Sequence, residues 1–279
     1  MNPQDWIGNT QISQDVLMPS VLRRFDATLW RDQRDWNKGD AAPHLAHWLC
    51  FLPEDPMDQV GPDGHPKRGG FLPPIHDLPR RMWAGSRIEF LNDLPVGVDI
   101  EKRSEILSVT EKQGRQGALV FVTVRHEISH EGAVLIRDEH DIVYRDAPPP
   151  GAAPVEPKEV EPGEMVWELE PDPVLLFRYS ALTFNSHRIH YDLPYVHDEE
   201  NYPQLIVHGP LIATLILENL SRQAPDLNVK QFNFRAVAPT FVGDKLQLNA
   251  NAPNGDGEMK LWASKNDNRL GMDATAIVA

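Results

Sequence analysis

The segment at residues 211–221 constrains the fold most, because it carries apolar side chains on nearly every face of the helix it would form. A helix that is apolar all round has to be buried. Pro210 directly precedes it and suits the first turn of a helix, where a missing amide hydrogen costs no hydrogen bond. Runs with strand-like composition follow at 229–237, 245–252, 258–265 and 270–278. One long buried helix followed by several antiparallel strands is an α+β architecture.

The first part of the chain repeats this order of elements. A short apolar segment at 42–52 is predicted to be helical and ends before Pro53. Strands are then predicted at 81–90, 99–112, 118–129 and 134–144. A sheet wrapped on one central helix is the hot-dog arrangement, so the sequence predicts a tandem, or double, hot-dog fold whose first helix is shortened. The repeat is one of element order and not of residues.

A proline-rich segment at 147–163 divides the chain. Proline fixes its own backbone angle and has no amide hydrogen, so this stretch is predicted to be a linker and not a helix or strand. It separates domains at 1–146 and 164–279, both of ordinary domain size.

Composition excludes several classes of function. The formal net charge of the 279 residues is −14, which disfavours nucleic acid as a partner. No apolar run approaches the ~20 residues that span a bilayer, and the start of the chain lacks the pattern of a signal peptide. Cys50 is the single cysteine, so a small buried filler in a reducing compartment is the simplest interpretation. A cytoplasmic protein without a membrane partner is expected, and sheets with exposed edges favour a homo-oligomer.

Side chains that can donate, accept or transfer protons are concentrated at 178–192. This segment holds two histidines, two arginines, an asparagine and several hydroxyls. We predict that this segment lies outside the regular elements, where functional groups are common. Asn185 and His190 could hold one water between an amide oxygen and an imidazole nitrogen. His190, with a reference pKa of about 6.5, could take a proton from that water and return one to carbon.

The phrase His208-Gly209-Pro210 supplies a second element. Gly209 would begin the buried helix, where its backbone amide has no intrahelical partner and lies at the positive end of the helix dipole. A thioester carbonyl that becomes an enolate needs such a donor. No HExxH pattern, CxxC pair or acidic triad accompanies the histidines, so no metal is expected.

These residues carry a resemblance to a known family. The segment 177–219 resembles the MaoC-like hydratases and dehydratases, some of which carry an Asp-x-Asn-Pro-x-His motif that Asn185 to His190 matches in position. The stretch 179–192 is similar to a narrower branch, which contains mitochondrial 3-hydroxyacyl-thioester dehydratases and bacterial mesaconyl-C4-CoA and itaconyl-CoA hydratases. The runs 5–8, 47–48 and 80–86 read like the first domain of that branch.

The resemblance implies syn addition of water, with the thioester oxygen held by the Gly209 amide. The wider family has an acidic residue where this chain has Asn185, and an amide cannot act as a general base. His190 alone would therefore transfer the proton, while Asn185 orients the water. The second domain would be catalytic and the first would accommodate the substrate. Coenzyme A belongs to the substrate, so no separate cofactor is expected.

Substrate-binding candidates complete the set of expected site residues. Arginines near the cluster could bind the phosphates of coenzyme A, and a cation from the first domain could bind a free carboxylate on the acyl group. The candidates are His187, Arg188, Tyr191, His208, Arg235, Arg81 and Arg87, with Arg178 after them.

The expected reaction is hydration of a C5-dicarboxylic acyl-CoA, itaconyl- or mesaconyl-C4-CoA, to citramalyl-CoA, as in itaconate-type catabolism. A 3-hydroxyacyl-thioester dehydratase, or (R)-specific enoyl-CoA hydratase, of fatty-acid metabolism is the first alternative. An acyl-CoA thioesterase is a second alternative, and an acyl-CoA sensor without turnover is a third.

Overall fold

A computed structural model describes residues 2–114, 117–146 and 156–279. One antiparallel sheet of ten strands dominates it, in the order β1-β3-β4-β5-β2-β7-β10-β9-β8-β6. The strands are β1 (Thr10–Val16), β2 (Arg80–Phe90), β3 (Asp99–Gly114), β4 (Gly117–His130), β5 (Ala133–Arg145), β6 (Met165–Leu169), β7 (Val229–Ala236), β8 (Leu246–Ala250), β9 (Glu258–Lys265) and β10 (Arg269–Val278). The α-helices are α1 (Pro19–Thr28), α2 (Pro173–Thr183), α3 (Leu193–Asp198) and α4 (Gly209–Gln223).

Helix α4 is the central element that the sequence predicts. It packs against β6, β8 and β9, and its residues from Leu211 to Leu220 are all buried. Within it, Glu218 is 3% exposed and pairs with Arg31 at 2.6 Å and with Arg222 at 2.9 Å. An ion pair therefore connects the buried helix to the segment that follows α1.

All eight predicted strands are present, with ends shifted by a few residues at most. The sequence did not predict β1 or β6, which are the two edge strands of the sheet. Four of the seven β1 residues are exposed, so an alternating apolar pattern is missing. The β6 strand has only five residues and follows directly on the proline-rich segment.

The helix predicted at 42–52 is wrong. That stretch forms a single 3-10 turn, Ala46–Leu49. Leu45 and Phe51 on either side adopt left-handed backbone angles, with φ of 65° and 56°, which an α-helix cannot contain. Leu45, Ala46, Leu49 and Cys50 are buried all the same, because tertiary packing requires apolar surface here and not a particular local conformation.

The two halves meet in the sheet, where β2 pairs with β7 from Gly85↔Arg235 to Glu89↔Gln231. Of the predicted linker, residues 147–155 lie outside the described residues. The part from 156 onwards runs along the second half, where Glu159 forms a bridge to Arg269. The domain boundary stays a prediction. No helix among the described residues has the length and apolar character needed to cross a membrane.

Candidate active site

The segment that carries the predicted chemistry starts inside a helix. Residues 178–183 form the end of α2, contrary to the expectation that the whole cluster lies outside regular structure. Phe184 ends the helix with φ of 48°, and the Asn185 amide donates to the Ser180 carbonyl at 2.9 Å. A 3-10 turn, Arg188–His190, follows. This tight path turns the chain back after α2 and brings Asn185 and His190 to the same part of the molecule.

His190 is buried and held in one orientation. Its Nδ1 lies 2.7 Å from the Ile206 carbonyl oxygen, which can only accept, so Nδ1 carries the proton. Nε2 is then the nitrogen that can exchange protons. Burial, followed by the neighbouring His187, lowers the pKa of His190 to about 3. The imidazole is therefore neutral at physiological pH, which is the state that a general base requires.

His208 lies directly against His190. The two rings stack with centroids 3.6 Å apart and an angle of 18° between their planes. His208 Nε2 lies 2.8 Å from the Ser180 hydroxyl, and burial holds the pKa of His208 well below its usual value. Two neutral rings can stack this closely, whereas two charged imidazoles would repel each other.

His208 also precedes the first residue of α4, Gly209. The Gly209 amide lies in the first turn of a fifteen-residue helix, where backbone N–H groups have no intrahelical acceptor. A Cβ built on Gly209 would meet nothing within 4 Å. Open space therefore lies beside an oriented N–H group and next to the stacked histidines.

A cavity of about 370 Å³ runs beside this segment. The second half contributes Tyr179, Asn185, Ser186 and Pro210 to its wall. The first half contributes residues from the 3-10 turn Ala46–Leu49, from strands β2 to β5 and from the loop before β2. Asn185 Oδ1 accepts from the His187 amide at 2.9 Å, which fixes the Asn185 side chain at this wall.

The loop at 61–66 is part of the site, although it was not among the regions predicted from the sequence. It lies on the segment 185–188, because the Ser186 hydroxyl donates to the Gly64 carbonyl at 2.6 Å and the Arg188 amide to the Asp63 carbonyl at 2.9 Å. His65 lies with its ring centroid 3.9 Å from that of His187, and its Nδ1 lies 3.1 Å from Asp63 Oδ2. The available signal was the pair Asp63 and His65, two positions apart in a glycine- and proline-rich loop.

Asp63, His65 and His187 could also hold a metal ion, since one ligand atom of each lies within 4.8 Å of the others. Burial and the neighbouring His65 lower the pKa of His187 to about 2, so that its ring is neutral. The hydrogen bond to His65 holds the pKa of Asp63 well below its usual value against the opposing effect of burial. Asp63 and His65 are joined by a hydrogen bond, His187 packs on the His65 ring, and His65 lines the cavity.

Besides His187 and His208, three more of the predicted substrate-binding residues lie on or near the segment 185–191. Arg188 pairs with Asp192 at 2.8 Å and donates to the Pro62 carbonyl at 2.9 Å, so it already holds the loop. The exposed Tyr191 donates its hydroxyl to the Ser186 carbonyl at 3.2 Å. Arg81 hydrogen-bonds Tyr144 and is close enough to His187 to help lower its pKa.

Arg87 and Arg235 lie elsewhere. They line a different, shallower cavity that contains none of the catalytic candidates. Arg87 is paired with Asp141 and Glu139, and Arg235 lies 3.7 Å from Asp273. The structure does not bring these two arginines to His190, and Arg178 bonds the Ala27 carbonyl instead.

Solved structures with the same architecture define the class of the protein. A MaoC-like dehydratase from Phytophthora capsici superimposes with a TM-score of 0.70 at 14% identity, over 98% of this chain and 96% of that one. A Mycobacterium tuberculosis protein described as a double hotdog fold matches with a TM-score of 0.56 at 13% identity, over 100% and 99% of the two chains. The predicted double hot-dog fold is thereby confirmed.

Sequence comparison then gives the family. The model of hydroxyacyl-thioester dehydratase type 2 matches residues 44–242. Mesaconyl-C(4)-CoA hydratase of Chloroflexus aurantiacus is 43% identical over 264 residues, which cover 90% of this chain and 93% of that protein. The chain belongs to the hydroxyacyl-thioester dehydratase type 2 family, as its resemblance to the MaoC-like hydratases and dehydratases predicted.

Proposed function

We propose that this protein is a hydro-lyase that adds water to the double bond of a C5-dicarboxylic acyl-CoA, itaconyl- or mesaconyl-C4-CoA, to give citramalyl-CoA. The observation that carries the proposal is the neutral, oriented imidazole of His190, stacked on His208 next to the first amide of α4. Identity of 43% to a mesaconyl-C(4)-CoA hydratase over most of both chains supports the substrate class.

The mechanism needs two groups, one that acts at the thioester oxygen and one that acts on the water attacking the β-carbon. The Gly209 amide donates to the thioester oxygen, so that negative charge develops on this oxygen as the double bond is attacked. His190 Nε2 removes a proton from water as the new C–O bond forms at the β-carbon. With mesaconyl-C4-CoA, whose double bond is conjugated with the thioester, the imidazolium then returns a proton to the α-carbon, and the enolate collapses to the saturated thioester. Itaconyl-CoA has its double bond between the β- and γ-carbons, so the same base first moves a proton from the α-carbon to the γ-carbon, which gives mesaconyl-C4-CoA. The overall reaction adds one molecule of water to each double bond.

The other candidates support these two groups. Asn185 is fixed at the cavity wall and orients the attacking water, while its own amide moves no proton. His208 packs on the face of the His190 ring and, through its bond to Ser180, limits the ring to one position. Arg81, Arg188, His187 and Tyr191 remain the proposed contacts to the substrate. All these steps use groups of the chain itself, so the proposal includes neither cofactor nor metal.

The test is hydration of mesaconyl-C4-, itaconyl- and crotonyl-CoA by purified protein. Loss of enoyl-thioester absorbance follows the first and third substrates, and chromatographic detection of citramalyl-CoA follows itaconyl-CoA. We expect His190→Ala to lower kcat by about 10²- to 10⁴-fold, the usual contribution of general acid–base catalysis. His197→Ala is the matched control, because His197 is an exposed histidine on α3 that bonds only the Pro203 carbonyl. Equal rates for wild type and His190→Ala would show that the mechanism is wrong.

Dehydration of a 3-hydroxyacyl thioester is a second candidate, because the same groups catalyse the reverse reaction and the family model carries that activity in its name. Comparing rates with 3-hydroxybutyryl-CoA and citramalyl-CoA decides between the two substrate classes.

A thioesterase would release free coenzyme A from a saturated acyl-CoA, which a thiol assay detects. The Cys50 thiol lines the cavity but is not suited as a nucleophile, because burial raises its pKa to about 12. An acyl-CoA sensor would bind ligand with no turnover and would tolerate His190→Ala.

The cytoplasmic location and the homo-oligomer expected from the sequence also remain part of the proposal. The exposed edge strands β1 and β6 support self-association. The molar mass in solution, measured by light scattering, tests it against a monomer of 31.5 kDa.

A further inference from the structure

The first half of the chain contributes a group of polar side chains to the wall of the cavity. This polar pocket consists of His47, Lys102, His126, Asp138 and His140. His47 comes from the 3-10 turn, Lys102 from β3, His126 from β4, and Asp138 and His140 from β5. None of the five belongs to the catalytic motif, and no step of the proposed mechanism uses them.

The register of the sheet places these side chains on its inner face. His126 pairs with Ser104 on one side and with Asp138 on the other, and His140 pairs with Val124. Inward positions next to them carry buried aliphatic residues, as at Ile106, Val124 and Ile128. Since successive side chains of a strand alternate between faces, the polar residues interrupt an otherwise apolar surface in the middle of three adjacent strands.

Several atoms of the pocket are buried without a hydrogen-bond partner among the described residues. They are both ring nitrogens of His47, Oδ1 of Asp138 and Nε2 of His140. An unsatisfied buried polar group costs about 1–3 kcal/mol, so a cluster of them is not retained for stability. Polar atoms left unpaired at the wall of a cavity are typical of a site that binds a polar ligand.

The charges of the pocket favour an anion. Asp138 is already engaged by its neighbours, because its Oδ2 accepts from Trp48 Nε1 at 3.1 Å and lies 3.5 Å from His47 Nε2. Lys102 is not: its ammonium lies over the Phe51 ring at 4.8 Å and forms no hydrogen bond to the part of the chain that the structure describes. His140 stacks on Trp83 at 3.9 Å, which holds its ring in place and leaves Nε2 as a possible donor.

We propose that the polar pocket binds the distal carboxylate of the acyl group, with Lys102 Nζ and His140 Nε2 donating to its two oxygens. The inference rests on the proposed function. The thioester oxygen must lie at Gly209, and the β-carbon that carries the free carboxylate must lie at His190, for that carboxylate to reach the pocket. It assigns to Lys102 and His140 the selection of a dicarboxylic substrate, which was predicted for Arg81 or Arg87 from the sequence. Arg87 lies in the other cavity and is not placed to make this contact.

The pocket is tested by substrate preference, measured as the ratio of kcat/KM for mesaconyl-C4-CoA to that for crotonyl-CoA, which lacks the second carboxylate. Lys102→Met removes the charge and keeps the aliphatic stem, while His140→Phe keeps a ring on Trp83. We expect each variant to lower the ratio by about 10- to 100-fold, the effect of losing one charged hydrogen bond. Lys112→Met makes the same chemical change at an exposed position of β3 and should leave the ratio as in wild type.

An unchanged ratio in both pocket variants would overturn the inference, and so would an equal loss on the two substrates. A separate readout uses calorimetric binding of two saturated thioesters, methylsuccinyl-CoA and butyryl-CoA. Lys102→Met should weaken only the first, by about 10-fold or more. If wild type hydrates none of the three enoyl-CoAs, the proposed function fails, whereas this pair of saturated ligands still decides whether the pocket binds a carboxylate.

Discussion

At the scale of single residues, the site depends on histidines that are kept neutral. His190 bonds a backbone carbonyl through one nitrogen and stacks on His208, so its position, tautomer and protonation state are all fixed before substrate arrives. Such preorganisation spares the reaction the cost of arranging the base at the moment of proton transfer. Asn185 adds a fixed amide and no additional base.

Gly209 allows the contribution of a single N–H group to be measured. Gly209→Pro removes the amide hydrogen at a helix position where proline is well accepted, so the fold should be retained. We expect kcat to fall by about 10²- to 10³-fold, as in other enzymes that lose one donor to a developing oxyanion. Steady-state kinetics on crotonyl-CoA measure the loss.

The matched variant is Gly209→Ala, which keeps the N–H group and adds a methyl group in open space. It should raise KM by crowding the thioester while keeping more of kcat than Gly209→Pro does. A Gly209→Pro enzyme with wild-type kcat would rule out a role for this amide.

At the scale of elements, the loop at 61–66 completes the site by lying on the catalytic segment. A Cβ on Gly64 would come within 1.8 Å of the Ser186 carbonyl oxygen, and its φ of +90° favours glycine in addition. Only glycine allows this close approach between the two halves. The contact brings Asp63 and His65 beside His187.

We therefore expect Gly64→Ala to displace the loop and to lower kcat/KM by about 10-fold or more, since misplacement by about 1 Å can cost 10²-fold in rate. Activity assays together with circular dichroism separate loss of function from loss of fold. Gly70→Ala is the control, because Gly70 has φ of +74° and open space around its Cβ. Both variants place alanine at a positive φ, but only the alanine at position 64 also clashes with the Ser186 carbonyl oxygen. Equal activities would mean that loop docking is not needed.

At the scale of the whole molecule, buried histidines link stability to pH. Six histidines have a pKa below the usual value, with burial the largest cause for each: His44, His126, His140, His187, His190 and His208. Below a pH of about 6.5 the unfolded chain binds protons at these rings and the folded chain does not. Stability is therefore complete above that pH and is lost as the pH falls.

Between pH 7.5 and pH 5, each histidine whose pKa lies at about 4 or below should cost about 2 kcal/mol of stability, because one pKa unit corresponds to about 1.4 kcal/mol. These histidines are His126, His140, His187 and His190. We expect a marked fall in the urea midpoint over this range. Asp63 and Asp138, whose pKa values are lowered, affect stability only below the unfolded value of about 3.9 and so leave this range unchanged.

Removing one buried ring tests the origin of this effect. His126→Asn should flatten the dependence of unfolding free energy on pH, because the pKa of His126 is lowered to about 3. The matched control is His130→Asn, at a half-buried position at the end of β4. A midpoint that stays constant between pH 7.5 and pH 5 would contradict the linkage.

The sequence by itself determined the α+β class, the buried helix α4, eight of the strands and the residues of the catalytic motif. Each of these depends on local properties: apolar periodicity, strand propensity, a proline in the first turn of a helix, or a motif contiguous in the chain. The failed helix at 42–52 shows the limit of such signals, since apolar composition predicts burial better than it predicts conformation.

Only the tertiary structure decided which distant residues meet. The stacking of His190 on His208, the docking of Asp63 and His65 on the motif, and the alignment of Lys102, His126 and His140 in one cavity all depend on strand register and loop packing. The same packing placed Arg87 and Arg235 in a separate cavity, although their charge made them reasonable candidates. Contacts between segments far apart in the chain cannot be predicted from local sequence patterns. The alternation of side chains along a strand shows which residues share a face of the sheet, but it does not show which distant residues pack against that face.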